Sequence, residues 1–313
     1  MDDTAERNNS AIPGNTSNLS SLVIAKYRIY AEAIDNIEIK GFKGSVFHGG
    51  FGYALKLISP SIFQYFFQPP FKGDPPRPYI IVPPLDQNEN YKVGDKFTFD
   101  LILIGPAVQH FPICFAAFEK LGTELGIGSQ RSKFKLTQID FFNNNNQSQR
   151  LYKNNNWQFI DSTINAYQLS QTDPVALSQL TLKFPSFLRI KNNAKLVNEA
   201  PDFRLLMDRL LGRICTISKF YNKENELLLC RSERDALLEQ AEGVSTMFNN
   251  LKWRDWTRYS SRQQTEMKFG GLTGTIQYRG ELEPFIPYLK IGQWLHVGGK
   301  TSFGLGGYEM EIG

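Results

Sequence analysis

One arrangement occurs twice in this chain and limits what it can fold into. An apolar helix-like stretch is followed by a glycine-rich loop with basic and hydroxyl side chains, and then by a short strand. The first copy is FAAFEKLGTELGIGSQRSKFKL, Phe115 to Leu136, where Gly126 and Gly128 link the helix to a basic strand. The second is HVGGKTSFGLGGYEMEI, His296 to Ile312, with Gly298, Gly299, Gly304 and Gly306 around Lys300, Thr301 and Ser302. Glycine lacks Cβ, reaches positive φ and lets backbone approach a ligand closely. Successive N–H groups turned into one concavity bind anions, a phosphodiester chain among them. Two such units predict two related halves.

The rest of the pattern agrees. Leu22 to Ala33 alternates with the period of a strand, and Lys43 to Ile58 enters a helix through Gly49, Gly50 and Gly52. Tyr79–Val82 and Phe97–Ile104 read as strands, Pro112–Leu121 as a helix and Lys133–Ile139 as a strand. That order, βαββαβ, is the ferredoxin-like unit. The second half repeats it with an extra helix. Strand Leu180–Phe184 leads to an amphipathic helix, Pro201 to Tyr221, with Pro201 in its first turn. A second helix is opened by Ser232 and Asp235 as a capping box and stopped at Gly243. Strands Thr265–Phe269 and Thr273–Tyr278, helix Glu283–Leu295 and strand Tyr308–Ile312 complete it. The expected fold class is α+β: two tandem ferredoxin-like (βαββαβ, RRM-like) domains with antiparallel sheets. A disordered polar tail is expected over 1–20, the N-terminal domain over 21–175, and the C-terminal domain with its glycine loop over 176–313. Asparagine runs at 143–146 and 154–156 predict a surface hairpin.

Composition narrows the partner. A length of 313 residues suits two domains, and a net charge of +4 permits a polyanion without demanding one. The chain has 24 Phe and 13 Tyr, enough to supply rings for base stacking after the core is filled. Three cysteines without C-x-x-C spacing fit a reducing compartment. Three histidines without a paired motif argue against a metal. Neither a signal-like h-region nor an apolar run of about twenty residues is present. The expectation is a cytoplasmic protein with no cofactor, no metal and no membrane or DNA partner. A dinucleotide site is excluded because the C-terminal cluster follows a helix and only one strand remains, and HGGFGYAL lacks the Lys-Ser/Thr of a phosphate loop.

The segment RYSSRQQTEMKFGGLTGTIQYRGELEPFIPYLKIGQWLHVGGKTSFGLGGYEM, Arg258 to Met310, resembles the repeat-RNA processing endoribonucleases of CRISPR systems, within the RAMP superfamily. The resemblance recurs at KGSVFHGGFGYALKLI and over Leu101 to Phe134. It implies binding of the repeat hairpin of precursor CRISPR RNA and cleavage without metal, by attack of the neighbouring 2′-hydroxyl. The products would be 2′,3′-cyclic phosphate and 5′-hydroxyl ends. CRISPR effector subunits are implied as further partners. A non-catalytic RAMP subunit that only binds guide RNA would share the fold and the glycine loops.

On the catalytic side the resemblance points to the first helix, where His48 opens the segment, Tyr53 and Lys56 follow, and Tyr30 lies on the preceding strand. Many relatives carry Arg-Gly where this chain has His48-Gly49, so His48 is equally a stand-in for an RNA-contacting arginine or a capping residue. For RNA contacts, Arg258, Arg262 and Lys268 form one candidate track and Arg131 and Lys133, with Lys135, another. The glycine loop from Gly298 to Gly306 is the third. His296 abuts it, either near RNA or as a histidine at a helix C-terminus. Arg204, Arg209 and Arg213 are expected on the solvated face of their helix.

Overall fold

A computed structural model of the chain describes residues 16–71, 75–158, 160–171, 177–222, 229–260, 265–268 and 270–313. In the first half β1 (Val23–Ala33) alternates as expected, with Tyr27, Ile29, Ala31 and Ala33 buried and Lys26, Arg28, Tyr30 and Glu32 on the other face. Helix α1 (Gly44–Ile58) and a further helix, α2 (Pro60–Phe67), lead to β2 (Tyr79–Val82). Then follow β3 (Lys96–Ile104), α3 (Phe111–Lys120) and β4 (Phe134–Phe142). The sheet order β2-β3-β1-β4, antiparallel throughout, is that of a ferredoxin-like unit. The asparagine-rich stretch extends β4 as a hairpin, β5 (Ser148–Lys153) and β6 (Asn156–Trp157).

The second half begins with β7 (Gln179–Leu188), then α4 (Phe203–Tyr221) and α5 (Arg231–Ala241). Two caps differ from expectation. Asp202, after Pro201, caps α4 by accepting from Leu205 N at 2.6 Å, a bond worth about 1 kcal/mol. Pro201 therefore precedes the cap rather than sitting in the first turn. Helix α5 is capped by Cys230 with Glu233, whereas Ser232 lies inside it. The sheet's second strand also differs. It is β8 (Ser245–Asn249) continued by β9 (Lys252–Arg254), both paired to β12 (Gly271–Arg279). The stretch expected in that role instead forms a separate hairpin, β10 (Thr257–Ser260) with β11 (Thr265–Lys268). The physical reason is that β8 is exposed along its whole length, so it carries no apolar alternation to read. Helix α6 (Ile286–Leu295) and β13 (Glu309–Ile312) complete the order β8-β12-β7-β13.

The halves meet through aromatic contacts. Phe42 of the first half packs on Phe187 and Trp256 of the second, and Phe71 packs on Phe220 and Tyr221. The Tyr221 hydroxyl donates to the Pro76 carbonyl at 2.5 Å. Among the described residues, no helix is long and apolar enough to cross a membrane.

Candidate cleavage centre and nucleic-acid interface

The two segments singled out from opposite ends of the sequence touch. His48 lies on the first turns of α1, half-buried, and its ring stacks on Phe303 of the C-terminal glycine loop at 3.7 Å between centroids. Its Nε2 is 3.0 Å from the Tyr79 hydroxyl. Burial holds the Tyr79 phenol well above its ordinary pKa, so it stays protonated and is able to donate to Nε2. In that arrangement Nδ1 carries the imidazole proton. The Lys300 ammonium lies 5.8 Å from the centre of the same Phe303 ring. Desolvation, with Arg189 and Lys191 nearby, lowers its pKa. A titratable imidazole and a cation therefore flank one ring at the seam between the halves.

Close backbone packing makes this seam. Gly304, at φ +84°, leaves no room for a Cβ, which would fall 2.6 Å from Pro83 Cδ and 2.7 Å from the Ile81 carbonyl. At Gly44 a Cβ would fall 2.3 Å from the Phe303 carbonyl. Glycine is required here because two backbones approach, one from each half.

The loop's amides are a correction to the anion-cradle expectation. Gly299 N–H donates to the Arg189 carbonyl, Phe303 to Lys300, Gly304 to Thr301 and Gly306 to Phe187. These four groups fold the loop onto the protein instead of projecting from it. What the loop presents outward is Gly299, exposed, with Gly298, Lys300 and Ser302 half-buried, while Thr301, Gly304 and Gly306 are buried. His296 is buried too, its Nδ1 3.0 Å from the Leu305 carbonyl, and desolvation pushes its pKa down to about 3. It is a neutral packing group beneath the loop, not a surface contact.

The other members of the expected catalytic set are not assembled around His48. Tyr79 pairs with Leu103 and Leu103 with Ala25, so Tyr79 and His48 share the sheet face of the odd-numbered β1 residues. Tyr30 points to the opposite face, among Arg28, Asp100 and Asp140. There Arg28 grips Asp100 bidentately at 2.8 and 3.0 Å. Lys56 is eight residues along α1 from His48, about 12 Å of helix, and its ammonium lies over Phe63. Tyr53, 58% exposed, instead lines a 340 Å³ cleft with Gly126, Gly128 and Arg131.

Arg131 is in a turn closed by the Ile127–Ser132 bridge, at φ +52°, not on the strand. Lys133 precedes β4, and Lys135 pairs with Glu32 at 2.8 Å, so the expected basic strand face breaks up. Arg258 and Lys268 lie in the β10–β11 hairpin, where Arg258 is paired with Met267 and Lys268 with Thr257. Arg262 lies outside the described residues.

Sequence reasoning missed Tyr79 and Phe303 as the partners of His48, because only the fold brings them together. It also missed Arg213. That arginine is expected in solvent but donates Nε to the Leu295 carbonyl at 2.7 Å, capping α6 just before the glycine loop. Burial lowers its pKa to about 10.

Comparison with known proteins gives this seam a family setting. Residues 180–308 match the model of the CRISPR-associated endoribonuclease Cas6, and residues 22–166 match a model described as an N-terminal domain. Among solved structures, a Thermus thermophilus Cas6 product complex aligns at 16% identity, covering 92% of this chain and 100% of that one, with a TM-score of 0.62. A Cas6-related protein from Pyrococcus furiosus aligns at 12% identity over 92% and 98% of the two chains, with a TM-score of 0.51. A partial Cas6-RT-Cas1–Cas2 complex gives 0.63 at 14% identity, over 94% of this chain and 47% of that one. At these identities the structural likeness is one of fold, and the tandem ferredoxin-like arrangement is common to all of them. No curated protein matches the sequence.

Proposed function

We propose that this protein is an endoribonuclease that binds the repeat of precursor CRISPR RNA and cuts it without metal. The observation that carries the reading is the stack of His48 on Phe303, which sets a titratable side chain of one half against the glycine loop of the Cas6 half. In the proposed reaction the 2′-hydroxyl attacks the adjacent phosphorus, the P–O5′ bond breaks, and a 2′,3′-cyclic phosphate and a 5′-hydroxyl remain. Neutral His48 takes the 2′-hydroxyl proton or, protonated, supplies the one needed by the leaving oxygen. Tyr79 orients its ring, and the Lys300 ammonium offsets phosphorane charge. The RNA is held by phosphate contacts and shape, with Lys300, Gly298, Gly299 and Ser302 on one side and Arg258 and Lys268 of the β10–β11 hairpin, together with Arg262, continuing the track. Tyr30, Lys56 and His296 have no catalytic or RNA-contacting part in this reading.

The test is incubation of the full chain with its repeat RNA in EDTA. A cut that leaves a cyclic phosphate and is abolished by a 2′-deoxy nucleotide at the scissile position supports the reading. Intact RNA bound tightly refutes cleavage. It would favour the second reading, a non-catalytic guide-RNA-binding subunit, which fits the fact that both faces of His48 chemistry, ring and Nε2, already have protein partners.

A further inference from the structure

Three arginines converge on a second space that also touches the glycine loop. Arg209 and Arg213 of α4 and Arg234 of α5 line a cavity of about 410 Å³, with Asp208 and Gly212 also from α4. Pro76 of the first half and Gly298 of the glycine loop complete its wall. Among the described residues one carboxylate, that of Asp208, serves the cluster. Arg234 donates to Asp208 Oδ1, and Arg209 Nη2 is 3.4 Å from Oδ2. Among the described residues Arg213 is bonded only through Nε, at the Leu295 carbonyl.

Three N–H-bearing atoms are buried with no acceptor among the described residues: Arg209 Nε, Arg213 Nη2 and Arg234 Nε. Buried donors are nearly always paired, and an unpaired one costs about 1–3 kcal/mol. Guanidinium groups also stay charged, so three against one carboxylate leave an uncompensated charge of about +2. Both deficits call for an anion. Gly212 carries no side chain, and a Cβ there would have only Arg234 Nη2 nearby, at 3.7 Å, so the floor between the arginines is open. The cavity exceeds by about tenfold the roughly 30 Å³ of a single water. The planar fork of arginine matches phosphate oxygens two at a time.

We propose that this cavity is a phosphate subsite for the RNA backbone, built by Arg209, Arg213 and Arg234 beside Gly298 of the glycine loop. The inference rests on the RNA reading above and extends it to a phosphate contact made by residues other than those around His48. Asp208 tempers the site: it holds Arg234 and Arg209 in place while offsetting part of their charge.

The test is equilibrium binding of repeat RNA to the full chain across a potassium chloride series, with thermal unfolding of each variant as the folding control. Arg209→Gln should weaken binding about tenfold and lower the log–log salt slope by about one. Asp208→Asn should move affinity the other way, tightening it severalfold, which a merely structural ion pair would not do. A second arm adds pyrophosphate without RNA. If pyrophosphate raises the melting temperature of the wild type but not of Arg209→Gln, while both bind RNA equally, the site takes free anions and the RNA assignment is overturned. If neither ligand distinguishes the variants, the subsite itself is refuted. Wild-type protein that binds no RNA at all would refute the functional reading, and the pyrophosphate arm would still decide the cavity.

Discussion

The two glycine loops share a sequence signature but dock on different parts of the molecule. The first, around Gly126 and Gly128, closes on its own unit, with Gly126 N–H on the Leu121 carbonyl and Ile127 N–H on the Ser132 carbonyl, while its exposed Arg131 and the exposed Tyr53 of α1 line one cleft. The second, from Gly298 to Gly306, is clamped. Its amides bond inward, Gly304 presses on β2, and Phe303 covers His48. The difference lies in location. The first loop packs within its own unit, Gly128 against the Glu38 carbonyl, whereas the second is at the seam between units, where backbone of one half must meet backbone of the other. Glycine richness thus marks a tight turn in one place and a docking surface in the other. Neither loop is simply a set of amides aimed outward.

The sharpest way to break this contrast is at the ring the second loop covers. His48→Ala should lower the single-turnover cleavage rate by roughly 10²–10⁴-fold while RNA affinity stays within about twofold. A variant cutting at the wild-type rate would return His48 to a packing role. Next in size is a matched pair of loop substitutions. Gly304→Ala and Gly128→Ala each force a side chain into positive φ, at φ +84° and +74°, costing about 1–3 kcal/mol by thermal or urea unfolding. Only Gly304→Ala should also slow cleavage, because only it displaces Phe303 from His48. Equal loss of activity in both would erase the distinction between the loops.

Acid stability tests what lies beneath the second loop. His296 has a folded pKa of about 3 against an ordinary 6.5, so between those values the unfolded chain binds the extra proton. The stability tied to neutral His296 is complete above about pH 6.5. It is lost as pH falls toward 3, by up to about 1.4 kcal/mol per unit. His296→Gly should flatten that part of the profile, and glycine suits the residue's φ of +60°. An unchanged profile would mean the imidazole is not the group that titrates. The smallest effect belongs to the first loop, where Arg131→Ala should weaken RNA binding only a few-fold and lower the salt slope by about one. No change would leave that cleft outside the RNA path.

Much of the fold was legible. Alternation in β1, β2 and β3 and the apolar face of α4 are strong periodic signals, and they place both units. What escaped lacked such a signal. Strand β8 is exposed throughout, and the caps Asp202 and Cys230 lie one or two residues from the expected positions. The site was legible only in part. His48 and the C-terminal loop stand out by residue type, yet Tyr79 and Phe303 look like ordinary core aromatics. Tyr30 was grouped with His48 although strand alternation, visible in the sequence, already put it on the other face once α1 was taken to cover the odd-numbered residues. Arg213 was assigned to solvent because its helix position, not its reach to the Leu295 carbonyl, was all that could be seen.

Local periodicity and turn chemistry, both properties of near neighbours in the chain, were enough to specify two ferredoxin-like units and to mark residues 296–312 as unusual. Which groups face one another was decided only by the tertiary structure. The reason is that the stack of residue 48 on residue 303, and the three-arginine cavity beside Gly298, depend on how two independently patterned sheets and their helices dock. That docking is set by shape at the seam, where glycines let two backbones touch, and no sequence spacing encodes such a contact.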